Sequence, residues 1–422
     1  MQYSAEWSDD ALNAAPEERA TVADLRLWLG EQNVTLHVHG LSIIDHLTIS
    51  LYSLAEGLAH DWWRLFGGRD REFSLVGYRG GFVVPDIRFK FDGEVFEIAA
   101  HQRTYSNPDV RFWAGPTEVM RRADAETLLS GLIELVLSRL GSGGVEDTSA
   151  ALRWARVRAS RTNPEEAAFC EAAGTLGLDP YQIGEDAAAS IEQAAVYFEG
   201  EPLTEFLAGA GAADRRRLIQ WVESADARPP YTSRVSNLRS VAFEASCVAP
   251  PREMEESWAL GYRRACAVRR ILNLRASDRF RSFRPLAEKL GASRAYALAP
   301  SVEGIRALRS DHADAPRIHM RIHGSSPEAR AGHLFSFARA IGDVACFPEE
   351  SRAPINELRS AYRQAAGRAF AAEFLAPIDE IESMHEDGRD AVSIAEEFGV
   401  STTVIERQRE NKGRIQSALA RR

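Results

Sequence analysis

The sequence has few cysteines and no long apolar segment. Its four cysteines, Cys170, Cys247, Cys266 and Cys346, are widely separated among 422 residues and form no Cys-x-x-Cys pair, a usage typical of a reducing cytosol. No run of about 18 uninterrupted apolar residues occurs, and the N-terminal residues lack a basic start followed by an apolar stretch. The sequence therefore predicts a cytoplasmic protein that is neither exported nor inserted into a membrane.

Composition and charge set further limits. The chain is 45% hydrophobic and 27% charged, which is typical of a protein that buries a sizeable core. Its net charge of -10 gives no electrostatic reason for the whole molecule to bind nucleic acid or an anionic membrane. Because a single core stops growing at roughly 250 to 300 residues, a chain of this length is expected to form two or three domains.

Periodicity predicts a helix-rich α+β fold with three domains: an N-terminal α+β domain over residues 1–145, a helical middle domain over 146–248 and a C-terminal domain over 249–422 with a small sheet. In the first domain, alternating residues predict strands between Asn33 and Leu51, and apolar residues at three- and four-residue steps predict a helix over 51–66. Asp92-Gly93 predicts a hairpin turn, and a helix is expected over 117–140.

The C-terminal domain is expected to hold three short strands, at 294–300, 304–310 and 317–324. In the last strand, alternation predicts that Ile318 and Met320 face the core and that His319 faces outward. Helices are expected around these strands.

One helical segment carries a damaged metal-binding pattern. Zinc peptidases of the His-Glu-x-x-His class bind the metal through two histidines on one helical face, and the intervening glutamate activates water. The segment FSFARAIGDVACFP, residues 335–348, resembles the F-T-L-A-H-E-L-G-H motif of the ImmA/IrrE family. Arg339 stands at the first histidine, Ala340 at the glutamate and Asp343 at the second histidine.

Two later segments continue the resemblance, which covers about residues 250–415. RAFAAEFLAP, residues 368–377, resembles the family's E-x-x-A-N-R-F-A-A-E-L-L-M-P helix, and in that register the third ligand falls at or next to Ala366. Residues 390–415 are similar to the family's closing helices. The resemblance implies a zinc cofactor for active members, but the ligands are missing here, so we expect no hydrolysis.

The resemblance also implies a regulatory role, since active members cleave helix-turn-helix repressors in stress responses and on mobile elements. We expect a protein or peptide partner, such as a helix-turn-helix regulator, with the N-terminal domain supplying a second contact or self-association. Contacts in the vestigial cleft are expected at Arg339, Asp343, His333 and His323. Arg339 and Asp343, four residues apart on a helix, are expected to form an ion pair.

Alternatives stay open. Asp343, His333 and His323 provide an atypical ligand set for an active metallo-endopeptidase. The segment from Ala395 to Ile405 resembles a helix-turn-helix, and Arg407, Arg409 and Lys412 after it are candidate DNA contacts of a transcription regulator. Packing on the peptidase-like fold is the favoured interpretation of these helices.

The N-terminal domain offers two weaker signals. His37, His39 and His46 share a strand region, but no carboxylate or cysteine spacing completes a metal site there. The glycines of Tyr78-Arg79-Gly80-Gly81 precede a strand and not a helix, so this segment fails as a phosphate-binding loop.

Overall fold

The computed structural model describes residues 1–8, 14–68, 72–102, 110–211, 214–227, 233–292, 304–311, 315–321 and 324–420. These residues form helices and antiparallel sheets, which confirms the predicted helix-rich α+β class. Two compact units divide the chain, at residues 1–184 and 185–422. The division into three domains stays a prediction. Within the described ranges, no helix combines the length and the apolar character that crossing a lipid bilayer requires.

The first unit combines small antiparallel sheets with helices. Its strands are β1 (Gln2–Trp7), β2 (Val22–Leu29), β3 (Gln32–Asn33), β4 (His37–His39), β5 (Ser42–Ile44), β6 (Leu47–Ser50), β7 (Glu72–Ser74), β8 (Asp86–Phe91), β9 (Val95–His101), β10 (Val110–Phe112) and β11 (Thr117–Arg121). Its helices are α1 (Pro16–Ala20), α2 (Tyr52–Gly67), α3 (Arg122–Ser142), α4 (Ser149–Arg161) and α5 (Pro164–Thr175), with 3₁₀ turns at Leu75–Tyr78 and Pro180–Gln182. The strand orders are β1-β2-β3 with β6 beside β2, β10-β4-β5, and β11-β9-β8-β7.

Helix α2 contributes buried aromatic and aliphatic residues along its length to the core of the first unit. Trp62 packs edge-on against Trp154 of α4, with ring centroids 4.9 Å apart, and Phe66 packs against Phe96 of β9 at the same separation. Helix α5 crosses α2 so closely that a Cβ at Gly174 would lie 2.0 Å from the carbonyl oxygen of Trp63. Only glycine allows this contact.

The predictions for the first unit were partly right. Helix α2 and the hairpin at Asp92-Gly93 are confirmed, because β8 pairs antiparallel with β9 across that turn. The predicted helix start at 117 was wrong: residues 117–121 form β11, which pairs with β9, and α3 begins at Arg122. The exposure of 117–121 alternates with a period of two residues, as in a strand with one solvated face.

The second unit is mainly helical around one sheet. Its helices are α6 (Glu185–Ala195), α7 (Gly200–Gly209), α8 (Arg215–Ala227), α9 (Leu238–Val248), α10 (Ser257–Ile271), α11 (Phe283–Lys289), α12 (Pro327–Cys346), α13 (Tyr362–Leu375), α14 (Ile378–Glu386), α15 (Ala391–Phe398), α16 (Thr402–Glu410) and α17 (Lys412–Ala420). Its strands are β12 (Ser233–Arg234), β13 (Ile305–Asp311), β14 (Pro316–Met320) and β15 (Arg352–Asn356), in the order β12-β14-β13-β15.

Helix α13 packs against both α10 and α12, and small residues permit close approach on each side. A Cβ at Gly261 of α10 would lie 2.3 Å from the carbonyl oxygen of Ala366, and a Cβ at Gly342 of α12 would lie 2.6 Å from the ring of Phe370. The apolar side chains of these helices form one buried core with the sheet. The crossing of α12 and α13 brings together the positions that the sequence pattern singles out.

The strand predictions for the second unit had mixed outcomes. Strands at 304–310 and 317–324 are confirmed in part as β13 and β14, whereas the expected strand at 294–300 lies outside the described residues. Ile318 and Met320 are buried as predicted, but the outward placement of His319 was wrong, since it is only 1% exposed. Strand β14 is an inner strand of its sheet, and His319 Nε2 lies 2.9 Å from Ser310 Oγ of β13. Strand β15 was not predicted.

Candidate functional site

The site is built on α12, and the residues at the N-terminus of this helix are ones that favour helix initiation. Ser326 caps the helix by accepting a hydrogen bond from the backbone N–H of Ala329, and Pro327 follows at the first helical position. Glu328 in the first turn is favoured by the helix dipole. The helix then runs unbroken to Cys346, so Arg339 and Asp343 lie one turn apart inside the unit.

Asp343 lies between two arginines. Its Oδ1 accepts a 2.6 Å hydrogen bond from Nη2 of Arg363 on α13, and its Oδ2 accepts a 3.2 Å bond from Nη1 of Arg309 on β13. Asp343, Arg363 and Arg309 are 1%, 4% and 0% exposed, so these are charge-assisted bonds out of contact with water. Arg309 also donates to the carbonyl oxygen of Phe347 at 2.8 Å, which fixes the end of α12.

Arg339 has different partners. Its Nη2 donates to the backbone carbonyl of Asn356 on β15 and, at 2.8 Å, to Oε1 of Gln364 on α13. Its Nη1 lies 3.5 Å from Oε1 of the exposed Glu357. The ion pair expected between Arg339 and Asp343 is not formed, because β15 and α13 supply acceptors to Arg339 while two other guanidinium groups hold the Asp343 carboxylate.

Gln364 extends the cluster to α7. Its Nε2 donates to Oε2 of Glu205 at 2.8 Å and to the carbonyl oxygen of Pro354 at 2.8 Å, while its Oε1 accepts from the backbone N–H of Asn356 at 3.0 Å. Glu205 is completely buried. Burial raises the pKa of Glu205 to about 7, against the opposing effects of the Arg363 charge and the Gln364 hydrogen bond.

The pKa values of the two buried arginines shift in opposite directions. Burial lowers the pKa of Arg339 to about 10, and the nearby charge of Arg368 adds to this effect. Burial also lowers the pKa of Arg363, but the charges of Asp343 and Glu205 outweigh it, so the pKa of Arg363 is raised overall. Arg363 is therefore held as a cation by the carboxylates around it, and Arg339 relies mainly on neutral oxygen acceptors.

Gln364 is the position that the sequence analysis missed. Ala366 is fully buried, and its carbonyl oxygen faces α10 at Gly261. Counting back from Phe370 along the E-x-x-A-N-R-F pattern places the family's ligand glutamate at Gln364, so the spacing itself contained the signal. The structure brings Arg339, Asp343 and Gln364 into one cluster, whereas Ala340 contributes only a buried methyl group.

This set of side chains does not fit a zinc ion. Arginine has no lone pair to donate, both oxygens of Asp343 already accept from guanidinium groups, and Oε1 of Gln364 accepts from Arg339 and Asn356. Ala340 offers no base to activate water. Over the part of the chain that the structure describes, no group of three or more His, Cys, Asp or Glu side chains is placed to hold a metal. These residues therefore support no metal-dependent step.

The predicted partner contacts lie in different surroundings. Arg339 and Asp343 are almost fully buried, and His333 on the same helix is 6% exposed, so none of the three presents a surface to a partner in this conformation. His323 lies outside the described residues. The described residues that were expected to contact a partner in the vestigial cleft are therefore buried in a polar core.

The closing helices have the local form of a helix-turn-helix. Helix α15 ends at Gly399, whose φ of +68° is the left-handed cap expected of glycine, and α16 follows. Among the candidate DNA contacts, Arg409 and Lys412 both pair with Glu382 of α14, at 3.3 and 2.7 Å, and Arg407 pairs with Glu410. These pairs reduce the charge available to a phosphate backbone.

A buried amide attaches α16 to the scaffold. Nε2 of Gln408 donates to Oε2 of Glu373 and to the carbonyl oxygen of Ala376, each at 3.1 Å, and the hydroxyl of Tyr262 donates to Oε1 of Gln408. Glu373 is itself buried, and burial raises its pKa to about 7. These contacts support the packing interpretation of the closing helices.

Comparisons with protein-family models, with curated proteins and with solved structures found no match. The likeness to ImmA/IrrE peptidases consequently depends on the residues quoted above.

Proposed function

We propose that this protein is a catalytically inactive relative of ImmA/IrrE metallopeptidases that acts as a regulatory or protein-interaction module in the cytoplasm. One observation carries the proposal: the three positions that would hold zinc carry Arg339, Asp343 and Gln364, and each of these side chains is hydrogen-bonded to another of them or to a neighbouring protein group. Hydrogen bonds cross-link α12, α13, β13 and β15 where a metal would do so in an active peptidase. The glutamate position holds Ala340.

The contact between Arg339 and Gln364, which requires no metal, supports the resemblance to the ImmA/IrrE family. Arg339 lies on α12 and Gln364 lies on α13, 25 residues away in the chain, yet their side chains are joined by a 2.8 Å hydrogen bond, so the two positions face each other. A former ligand pair converted into a donor and an acceptor would keep the helix crossing. The lineage favours a role in the control of stress responses or mobile elements through a helix-turn-helix regulator.

Metal analysis of the purified chain tests the loss of catalysis. After dialysis against a weak chelator, we expect well under one zinc per chain and no cleavage of an unstructured protein substrate when zinc is added. About one tightly held zinc per chain that Asp343→Asn releases would overturn the proposal and favour an active peptidase with atypical ligands.

A restored ligand set tests the lineage. The substitutions Arg339→His, Ala340→Glu, Asp343→His and Gln364→Glu together return the family's residues to their positions, so this variant should bind about one zinc per chain if the positions are correct. The matched control carries Ala366→Glu in place of Gln364→Glu, and we expect it to bind zinc more weakly. Circular dichroism verifies that both variants are folded before metal is added.

A further inference from the structure

A cleft of about 720 Å³ lies in the first unit, remote in sequence from the zinc-peptidase pattern. Its lining comes from α2, from β7 and from the segment that follows β7, and consists of Asp61, Arg64, Glu72, Phe73, Ser74, Val76, Gly77, Tyr78, Arg79, Gly80 and Gly81. The Tyr78-Arg79-Gly80-Gly81 segment, which fails as a phosphate loop, therefore forms a wall of this cleft.

All three residues of β7 line the cleft, and β7 is the last strand of its sheet. Among the described residues, β7 pairs only with β8, so the backbone groups on its other side have no strand partner. An open strand edge is a template for an added strand, and recognition proteins use such edges beside a helix to bind extended peptides.

The wall of the cleft is held in place before any ligand arrives. The ring of Tyr78 lies on α2 at Gly57, where a Cβ would approach the ring to 2.2 Å, and the Tyr78 hydroxyl donates a 2.6 Å hydrogen bond to Asp61. Gly80 has a φ of +55°, and a Cβ there would lie 2.5 Å from Oγ of Ser53 on α2. A preformed wall lowers the conformational entropy lost on binding.

The charges of the cleft select the ligand. Both carboxylates that line it are already paired, Asp61 with Arg64 at 2.6 Å and Glu72 with Arg88 at 3.1 Å. Arg79 is exposed, and within the described residues no carboxylate pairs with its guanidinium. A ligand with a carboxylate would find a partner in Arg79, whereas a basic ligand would meet a like charge.

We propose that this cleft binds an extended, acidic segment of a partner protein, which adds as a strand to the free edge of β7 and places a carboxylate on Arg79. The backbone edge supplies affinity for any extended chain, and Arg79 together with the half-buried Phe73 and Val76 supplies the selection. The inference is independent of whether the second unit is an inactive peptidase, because the cleft belongs to the first unit alone.

The test starts from a random ten-residue peptide library displayed against the full chain. We expect enrichment of acidic, β-prone peptides, and a synthetic copy of the enriched sequence should protect the amides of 72–74 from hydrogen exchange. Arg79→Gln should weaken its binding by about fivefold or more, as expected for loss of a charge-assisted hydrogen bond. Arg158→Gln, at an exposed arginine of α4, is the matched control and should leave binding unchanged.

Backbone methylation of the peptide keeps the test independent of protein variants. Strand addition uses alternate residues, so N-methylation of one alternating set should abolish binding while methylation of the other set is tolerated. Equal binding by both methylated peptides, enrichment of basic or helical peptides, or unchanged affinity in Arg79→Gln would each overturn the proposal.

Discussion

Arg363 donates a hydrogen bond of 2.6 Å to Asp343, and both side chains are at least 95% removed from solvent. Removing one partner of a buried ion pair destabilises the fold, because the remaining charge stays desolvated without a partner. Asp343 is also the acceptor for the fully buried Arg309. The carboxylate at the second histidine position therefore accepts a hydrogen bond from each of two buried guanidinium groups.

Removing the Asp343 carboxylate should strongly destabilise the folded protein. Asp343→Asn removes the carboxylate that bonds to both Arg309 and Arg363, and among the described residues only Arg309 keeps another carboxylate, Asp311, within 3.5 Å. We expect the free energy of unfolding to fall by about 3 to 5 kcal/mol. Urea denaturation followed by circular dichroism measures this. The control is Asp387→Asn, at an exposed aspartate after α14, which should change stability by less than about 0.5 kcal/mol. Equal effects of the two substitutions would contradict the buried pairing.

A double-mutant cycle separates the observed pair from the one that helix spacing suggests. The cycle of Asp343→Asn with Arg363→Met should give a coupling energy of about 1 to 3 kcal/mol, since the two groups are in direct contact. The cycle of Asp343→Asn with Arg339→Met should give less than about 0.5 kcal/mol, because Arg339 bonds to Asn356 and Gln364. A larger coupling energy for Asp343 with Arg339 than for Asp343 with Arg363 would support the ion pair expected from the sequence.

Local sequence patterns correctly predicted the helices and turns whose conformation is determined by neighbouring residues in the chain. Helix α2 follows from apolar spacing, and the β8–β9 hairpin follows from Asp92-Gly93, because both signals act within a few residues. Strand β11 was missed because it runs directly into α3, and five alternating residues are a weak signal beside a long helix. His319 was misplaced because alternation assumes one solvated face.

The site was only half predictable. The positions of Arg339 and Asp343 followed from the motif, but their partners Arg309, Asn356, Arg363 and Glu205 come from other elements that only folding brings near. Glu205 is 159 residues from Gln364 along the chain. Spacing on one helix identified an ion pair that geometry permits, and tertiary contacts supplied better partners for both charges.

Two buried carboxyls should make stability depend on pH. Burial raises the pKa of Glu205 and of Glu373 to about 7, whereas in the unfolded chain each titrates near its ordinary value of 4.5. Between these values the folded protein binds more protons than the unfolded chain, so the free energy of unfolding should decrease as pH rises from about 4.5 to about 7.

Glu373→Gln isolates one of the two groups. The amide keeps an oxygen for the N–H groups of Ile378 and Gln408 and has no charge to bury. At pH 8 the variant should be more stable than the unsubstituted protein by roughly 2 to 3 kcal/mol, and its pH dependence should be shallower. Urea titrations between pH 5 and pH 8 measure both, with Glu386→Gln on the exposed side of α14 as the control. If the free energy of unfolding of Glu373→Gln depended on pH as steeply as that of the unsubstituted protein, Glu373 would not be a source of the pH dependence.

A substitution on α2 can displace Tyr78, which forms part of the cleft wall. Gly57→Ala places a methyl group 2.2 Å from the Tyr78 ring, which must move and lose its hydrogen bond to Asp61. We expect a net loss of about 1 to 3 kcal/mol in the free energy of unfolding, although alanine favours a helix by about 1 kcal/mol over glycine. Gly77→Ala is the matched control, since a Cβ there meets nothing within 4 Å. A Gly57→Ala variant as stable as the control would show that Tyr78 does not pack on α2.

The attachment of the closing helices depends on Gln408, which is only 1% exposed and bonds to Glu373, Ala376 and Tyr262. Gln408→Ala removes these bonds and leaves a cavity, so α16 should open more easily while the rest of the second unit stays protected. Hydrogen exchange followed by mass spectrometry should show amides 402–410 exchanging at least about tenfold faster, as expected for a loss of about 1.4 kcal/mol. Arg407→Ala, on the exposed face of the same helix, should leave the exchange rates unchanged. If Arg407→Ala accelerated exchange and Gln408→Ala did not, the basic face and not the buried amide would hold α16 in place.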